Sequence, residues 1–205
     1  TLDAHSIGSV ERIKNRFRKN YPQLEIIVHA AASWEEDPNS LLKTREDLAR
    51  ANMVLITLVF LEDHISAILP DLKKARENCD LMLGLVSSKE IVNLTKMGGL
   101  DMSKPSSGVL KFLKKLRGDK NKVTGGEKQM AILRQIPKVL KFIPGKAQDL
   151  RAYFLSMQYW LAGSEENIES LFCYLLSRYS SLNNSIKMEI KSPVEYPETG
   201  LYHPD

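Results

Sequence analysis

The side chains best suited to chemistry follow an apolar run at residues 53–61, which reads as a buried strand. They are Glu62, Asp63 and His64. In open parallel sheets ligands bind beyond the carboxyl ends of the strands, so two carboxylates and an imidazole there could act as a base or ligate Mg²⁺. The alternative is an ordinary helix amino terminus, where acidic side chains are favoured. With His5, these residues form a candidate strand-end site, and no metal site is assigned.

His5 belongs to a second motif, DAHSIG at residues 3–8, which has the form D-x-H-x-x-G. In cobalamin-dependent mutases and methyltransferases such a loop follows the first strand of a flavodoxin-like domain, and its His coordinates cobalt. Those proteins also need a later S-x-L and a later Gly-Gly at fixed spacing. The nearest counterparts here, residues 57–59 and 98–99, are altered or too distant. We therefore favour a polar loop after a strand, with corrin binding as the alternative.

The hydrophobic pattern predicts an α/β fold, a small parallel Rossmann or flavodoxin-like sheet flanked by helices and followed by a helical segment. Continuous apolar runs predict strands, and residues spaced three and four apart predict helices. The predicted strands are 24–32, 53–60 and 81–86, with helices at 9–20, 40–51 and 62–78 and then at 108–117, 127–142, 147–162 and 165–180. The predicted domains are 1–97, 98–184 and a linker at 185–205.

Composition narrows the function classes. The chain has 205 residues, of which 43% are hydrophobic, enough for an ordinary core. Its longest apolar run is far shorter than the roughly 20 residues that span a bilayer, so no transmembrane segment is expected. The two cysteines, Cys79 and Cys173, read as reduced and buried. Neither a signal peptide nor a phosphate-binding G-x-x-x-x-G-K-[ST] motif is found, so ATP hydrolysis is not expected in this chain.

Charge is distributed unevenly. Residues 104–151 contain 13 basic and three acidic side chains, although the whole chain carries only +4. Such a stretch could meet nucleic acid, an anionic membrane surface or an acidic partner. No nucleic-acid motif accompanies the charge, so we expect no nucleic-acid partner and leave peripheral membrane association open.

Three further stretches carry a family resemblance. They are PKVLKFIPGKAQDLRAYFLSMQYWLAGSEEN at 137–167, MGGLDM at 97–102 and YPETGLYHP at 196–204. Together they resemble the amino-terminal region of the large, porphyrin-binding subunit of magnesium chelatase, closest to the bacteriochlorophyll type. The resemblance implies Mg²⁺ insertion into protoporphyrin IX, with ATP used by separate AAA+ motor subunits. It also implies a cytoplasmic location in bacteria or the chloroplast stroma in plants and algae.

The same resemblance implies that the chelating carboxylates lie in another part of the subunit. This chain alone is then inactive and forms a head domain that docks a partner or gates access to the porphyrin. The alternative is a free-standing flavodoxin-like module that binds a tetrapyrrole or corrin. A third reading is a structural interaction domain that binds no tetrapyrrole.

A porphyrin suggests a second candidate site. Protoporphyrin is a flat apolar macrocycle with two propionates, so it needs aromatic walls and basic groups at its rim. Tyr153 and Trp160, beside Lys141 and Arg151, offer these groups. The alternative is that the aromatic residues belong to the core and the lysines to a solvated face.

Overall fold

The computed structural model describes residues 4–104, 135–138, 140–141, 145–181 and 188–194. Its elements are α1 (Ala4–Asn20), α2 (Ser33–Glu36), α3 (Pro38–Arg50), β1 (Met53–Thr57), α4 (Glu62–Asn78), β2 (Leu81–Leu85), α5 (Lys89–Asn93), β3 (Lys96–Met97), β4 (Leu100–Asp101), α6 (Lys146–Ala162) and α7 (Glu165–Tyr179). This order confirms the predicted α/β class, a small sheet flanked and followed by helices. The predicted helix at 108–117, most of that at 127–142 and the motif at 196–204 lie outside the described residues.

The sheet is mixed rather than wholly parallel. Its strand order is β1-β2-β3-β4. β1 and β2 run parallel from the pair Met53–Leu81 to the pair Thr57–Leu85. β3 is antiparallel to β2, and β4 is antiparallel to β3 because the chain turns back between them through the two-residue loop Gly98-Gly99. The hairpin was not expected, since its strands are too short to give an apolar pattern.

Two predictions near the amino terminus are wrong. Residues 24–30 pair with no strand among the described residues, so the strand predicted at 24–32 is not formed. An apolar pattern shows which side chains are buried, but it cannot supply a neighbouring strand. His5 lies in the first turn of α1 rather than on a loop, which removes the structural context that corrin binding requires.

Each face of the β1–β2 pair is covered by its own layer of helices. On one face, side chains of α3, α4 and α5 pack against Val54, Ile56 and Met82. On the other, side chains of α6 and α7 pack against Leu83 and Leu85 of β2. Alternate residues of a strand point to opposite faces, so both strands contribute to both cores.

Gly84 of β2 lies where a helix approaches the sheet most closely. A Cβ atom at this position would lie 2.7 Å from the carbonyl oxygen of Ile91 in α5. The Gly84 backbone N–H donates a hydrogen bond to the buried Thr95 hydroxyl at 3.1 Å. α5 can therefore cover β2 only if residue 84 has no side chain.

A third cluster joins α1 to α7. Val10, Ile13 and Phe17 of α1 pack against Ile168 and Cys173 of α7. At the rim, Arg16 forms ion pairs with both Glu165 and Glu169, at 2.5 and 2.8 Å. Hydrogen bonds from Arg12 and Arg16 lower the pKa of Glu165. The helix at the start of the described chain is thus held by a helix more than 140 positions later.

Gly84→Ala should destabilise the protein by about 1–3 kcal/mol, because the added methyl group collides with backbone that has no room to move. Gly8→Ala is the matched control. Gly8 lies exposed in α1, where a Cβ would come no closer than 3.7 Å to Arg12, so the change should stabilise by about 0.5–1 kcal/mol. Urea unfolding of the two variants and the parent chain gives the change in the free energy of unfolding for each substitution. If Gly84→Ala and Gly8→Ala changed it equally, the close approach of Ile91 to residue 84 would be contradicted.

Candidate functional site

The carboxyl ends of β1 and β2 hold the backbone in an unusual conformation. Leu58 and Val86 directly follow the two strands and have φ angles of +60° and +44°. The left-handed region costs a residue other than glycine about 1–3 kcal/mol and is least common for β-branched side chains. The Leu58 N–H donates to the Val86 carbonyl at 3.0 Å, so the two residues are directly joined. Strain is therefore concentrated where α/β sheets bind ligands.

Hydrogen bonds fix the two loops to each other beyond these residues. The Val59 N–H donates to the Ser87 hydroxyl at 3.2 Å, and the Ser88 N–H donates to the Val59 carbonyl at 2.9 Å. The Ser87 hydroxyl in turn donates to the Leu85 carbonyl at 3.0 Å. These bonds make the strand-end loops a rigid platform from which α4 begins.

Four consecutive side chains lie on this platform, and we call Phe60, Leu61, Glu62 and Asp63 the strand-end patch. Phe60 and Leu61 are 52% and 51% exposed, which is high for large apolar residues. Glu62 and Asp63 are exposed in the first turn of α4, where the helix dipole favours acidic groups. The patch combines an apolar centre with an acidic rim.

His64 follows the strand-end patch in sequence, but its side chain is buried and does not belong to the exposed patch. It is 4% exposed, and its Nε2 lies 3.1 Å from a carboxylate oxygen of Glu35 in α2. The Trp34 ring meets the imidazole edge-on at 5.7 Å, while the Trp34 Nε1–H donates to Thr44. The buried Nδ1 has no hydrogen-bond partner in the described part of the chain. His64 therefore joins α4 to α2, whereas Glu62 and Asp63 face solvent.

Within the part of the chain whose side chains are described, Glu62, Asp63 and His64 do not belong to a cluster that could hold a metal ion. Among the described residues, no three His, Cys, Asp or Glu side chains are grouped so that they could hold a metal ion. The side chain of His5 lies outside the described part of the structure, so its place in the site stays a prediction.

The porphyrin-rim residues are divided between core and surface. Tyr153 is 5% exposed, its hydroxyl lies 3.5 Å from the Gly84 carbonyl, and burial raises its pKa to about 12. The Arg151 Nε donates to the Pro137 carbonyl at 3.0 Å. Trp160 is partly buried against the same core, and Lys141 is exposed. Tyr153 is thus part of the packing between α6 and β2, and a porphyrin rim formed by the four residues stays a prediction.

Sequence reasoning missed a polar junction centred on Asp149 of α6. Its carboxylate accepts hydrogen bonds from the Gly99 N–H and the Tyr179 hydroxyl, both at 2.8 Å, and lies 3.4 Å from Arg178. A Cβ at Gly98, whose φ is +54°, would lie 2.7 Å from the same carboxylate. The Gly-Gly loop therefore admits Asp149 between the hairpin and the end of α7. An acidic residue near a helix start gives no sign of a partner 50 positions away.

Comparisons with known proteins match the chain to two sequence-family models. The sequence model described as a domain of unknown function, DUF3479, matches residues 1–154, most of the chain. The chain belongs to the DUF3479 family. A second model, described as CobN/Magnesium Chelatase, matches residues 157–205. The DUF3479 match ends inside α6, although Tyr153 before that point and Tyr159 after it share one core cluster.

Several relatives resemble all or most of the chain. The magnesium-chelatase H subunit of Cereibacter sphaeroides is 53% identical over 205 residues, all of this chain and 17% of the relative. Its counterpart in Rhodobacter capsulatus is 50% identical over 206 residues, also 17% of its length. The chloroplastic magnesium-chelatase protein ChlH of Oryza sativa subsp. japonica is 31% identical over 159 residues, 77% of this chain and 12% of the relative.

These relatives confirm the resemblance to the large magnesium-chelatase subunit. The chain spans about one sixth of the bacterial relatives that it matches. Within the described residues, no helix has the length and apolar character needed to cross a membrane.

Proposed function

We propose that this DUF3479 chain is the amino-terminal region of a large magnesium-chelatase subunit. The whole subunit binds protoporphyrin IX and carries Mg²⁺ insertion in chlorophyll or bacteriochlorophyll synthesis, with ATP used by AAA+ motor subunits. The observation that carries the proposal is the 53% identity over all 205 residues with a protein named as the H subunit of magnesium chelatase. A bacterial subunit of this kind works in the cytoplasm, and a plant one in the chloroplast stroma.

Within that subunit, we propose that this region docks a partner rather than performing chelation. Mg²⁺ gives up its water reluctantly, and the porphyrin must lose two pyrrole protons, so chelation needs ligands and bases arranged around the macrocycle. In this region, Tyr153 is buried in the core and His64 is buried against Trp34. We therefore assign chelation to the remainder of the subunit.

The strand-end patch is the proposed docking surface. Protein interfaces have an apolar, desolvated centre and a polar rim, as Phe60 and Leu61 do beside Glu62 and Asp63. The hydrogen-bonded loops beneath the patch hold it in one conformation, which lowers the entropy lost on binding. The proposed partner is an AAA+ motor subunit of the chelatase.

If chelation belongs to the remainder of the subunit, the full-length subunit and the 205-residue chain should differ in chelation activity. With motor subunits, ATP, Mg²⁺ and protoporphyrin IX, the full-length subunit should produce the fluorescence of Mg-protoporphyrin, and the 205-residue chain should produce none. Metallation by the 205-residue chain would contradict the assignment of chelation to the remainder. No metallation by the full-length subunit would contradict the proposed function itself.

The docking role predicts the effect of Phe60→Ser with Leu61→Ser in the full-length subunit. At limiting motor subunit the chelation rate should fall about 10-fold or more, which corresponds to about 1.4 kcal/mol of lost binding. Excess motor subunit should restore the rate, because only association is weakened. Leu42→Ser is the control, since Leu42 is 53% exposed on α3, outside the patch. A double variant that behaves like the control would rule out docking at this patch.

A further inference from the structure

Residues 188–194, which we call the strap, form neither a helix nor a strand and are bound to α6 and α7 through their backbone. The Tyr159 hydroxyl of α6 donates a hydrogen bond to the Lys191 carbonyl at 2.5 Å. The side-chain amide of Asn167 in α7 binds both backbone groups of Val194. It donates to the Val194 carbonyl at 3.1 Å and accepts from the Val194 N–H at 2.9 Å. These bonds fix the path of the strap without using its side chains.

Asn167 connects the strap to the start of α7. Its side chain is buried, with 1% exposure, and both donor hydrogens of its amide have partners. One donates to the Val194 carbonyl, and the other donates at 2.9 Å to the hydroxyl of Ser164, the residue that caps α7. A buried amide that lost these partners would be costly, so the closed strap and the first turn of α7 stabilise each other.

The strap lies against the cluster that joins α1 to α7. Met188 packs against this cluster, which contains Cys173, and Cys173 is 6% exposed. Burial raises the pKa of the Cys173 thiol to about 11, and the carboxylates of Glu169 in α7 and Glu189 in the strap add to the shift. Glu189 can affect this thiol only if the strap passes close to it. The strap therefore helps to shield Cys173 and the contact between α1 and α7 from water.

The strap itself is weakly anchored. Ile190 and Val194 are 41% and 39% exposed, although both are apolar. Hydrogen bonds of a surface segment contribute little net stability, because water replaces them when the segment opens. Segments with few buried apolar contacts can open while the rest of a protein stays folded. α6 and α7, by contrast, contribute many buried side chains to the core, so the strap is the part expected to open first.

We propose that the strap is a conformational device that opens and closes over Cys173 and the contact between α1 and α7, with Asn167 and Tyr159 holding it closed. In the closed state Met188 completes the cluster of α1 and α7. In the open state water hydrates the backbone of the strap and reaches Cys173, while the sheet and its helices stay folded.

Thiol labelling tests the opening, because the chain contains two cysteines and each reports on a different core. Cys79 is 2% exposed and lies in the cluster between α4 and the sheet, away from the strap. The native 205-residue chain is treated with N-ethylmaleimide at urea concentrations below its unfolding transition, and mass spectrometry gives the rate at each cysteine. Cys173 should react at least about 10-fold faster than Cys79. Its rate should also rise less with urea, because local opening exposes less surface than global unfolding.

Two variants loosen the strap at different points. Asn167→Ala removes both bonds to Val194, and Tyr159→Phe removes the bond to Lys191 while the ring stays in the core. The ratio of the Cys173 rate to the Cys79 rate should rise about 10-fold in the first variant and about 3-fold or more in the second, because the lost hydrogen bonds had favoured the closed state. If Asn167→Ala fails to fold, Tyr159→Phe alone decides.

Tyr153→Phe is the matched control. It also removes a buried tyrosine hydroxyl from α6, but that hydroxyl lies beside the Gly84 carbonyl rather than the strap. Any general loss of stability would raise both labelling rates together, so the ratio should stay at the parent value.

Three results would overturn the proposal. An unchanged ratio in both strap variants would show that the strap does not shield Cys173. A Cys173 rate with the same urea dependence as the Cys79 rate would show that only global unfolding exposes the thiol. A ratio that rises in Arg16→Ala, which breaks ion pairs between α1 and α7, but not in the strap variants would assign the shielding to α1 alone.

Discussion

The complete burial of β2 on both faces is the constraint on which the rest of the structure depends. Leu81, Met82, Leu83 and Leu85 are each no more than 1% exposed. Burying a large aliphatic side chain contributes about 1.5–3 kcal/mol, but only if both faces of the strand are covered. The chain must therefore place one layer of helices on each side, and its order of elements follows from that need.

The two layers come from distant parts of the chain. α3, α4 and α5 surround the strands in sequence and cover one face, whereas α6 and α7 follow residue 145 and cover the other. The junction at Asp149 fixes the second layer to the β3–β4 hairpin. The core also joins the segments matched by the two family models, because Leu150 and Leu171 lie in one cluster. The predicted boundary between residues 97 and 98 stays a prediction, although Met97 belongs to this same cluster.

The sequence predicted a helix or strand correctly where a single apolar pattern is compatible with only one element. It placed α4 at residues 62–78 and the cores of β1 and β2, because continuous apolar runs have few alternatives. It failed for residues 24–32, where strand formation needs a neighbour that the pattern does not contain. For the site, it located Glu62 and Asp63 at the strand ends but could not reveal that Phe60 faces solvent.

The left-handed residues explain part of that failure. The run MVLITLVF reads as one strand, yet Leu58 turns the chain and ends the ladder, so that Val59 is buried and Phe60 is exposed. The pattern also could not reveal that Tyr153 is buried in the core with its hydroxyl beside the Gly84 carbonyl, and its role at a porphyrin rim stays a prediction. In both cases tertiary packing, which periodicity does not encode, decided the outcome.

The most direct measurement of the central claim is the near-UV circular dichroism and thermal unfolding of a chain that ends at residue 154. That chain retains the DUF3479 match but lacks the end of α6 and all of α7, so one face of β2 would be uncovered. The account predicts loss of the near-UV signal and of cooperative unfolding relative to the 205-residue chain. A shortened chain with the same near-UV spectrum and the same Tm would contradict it.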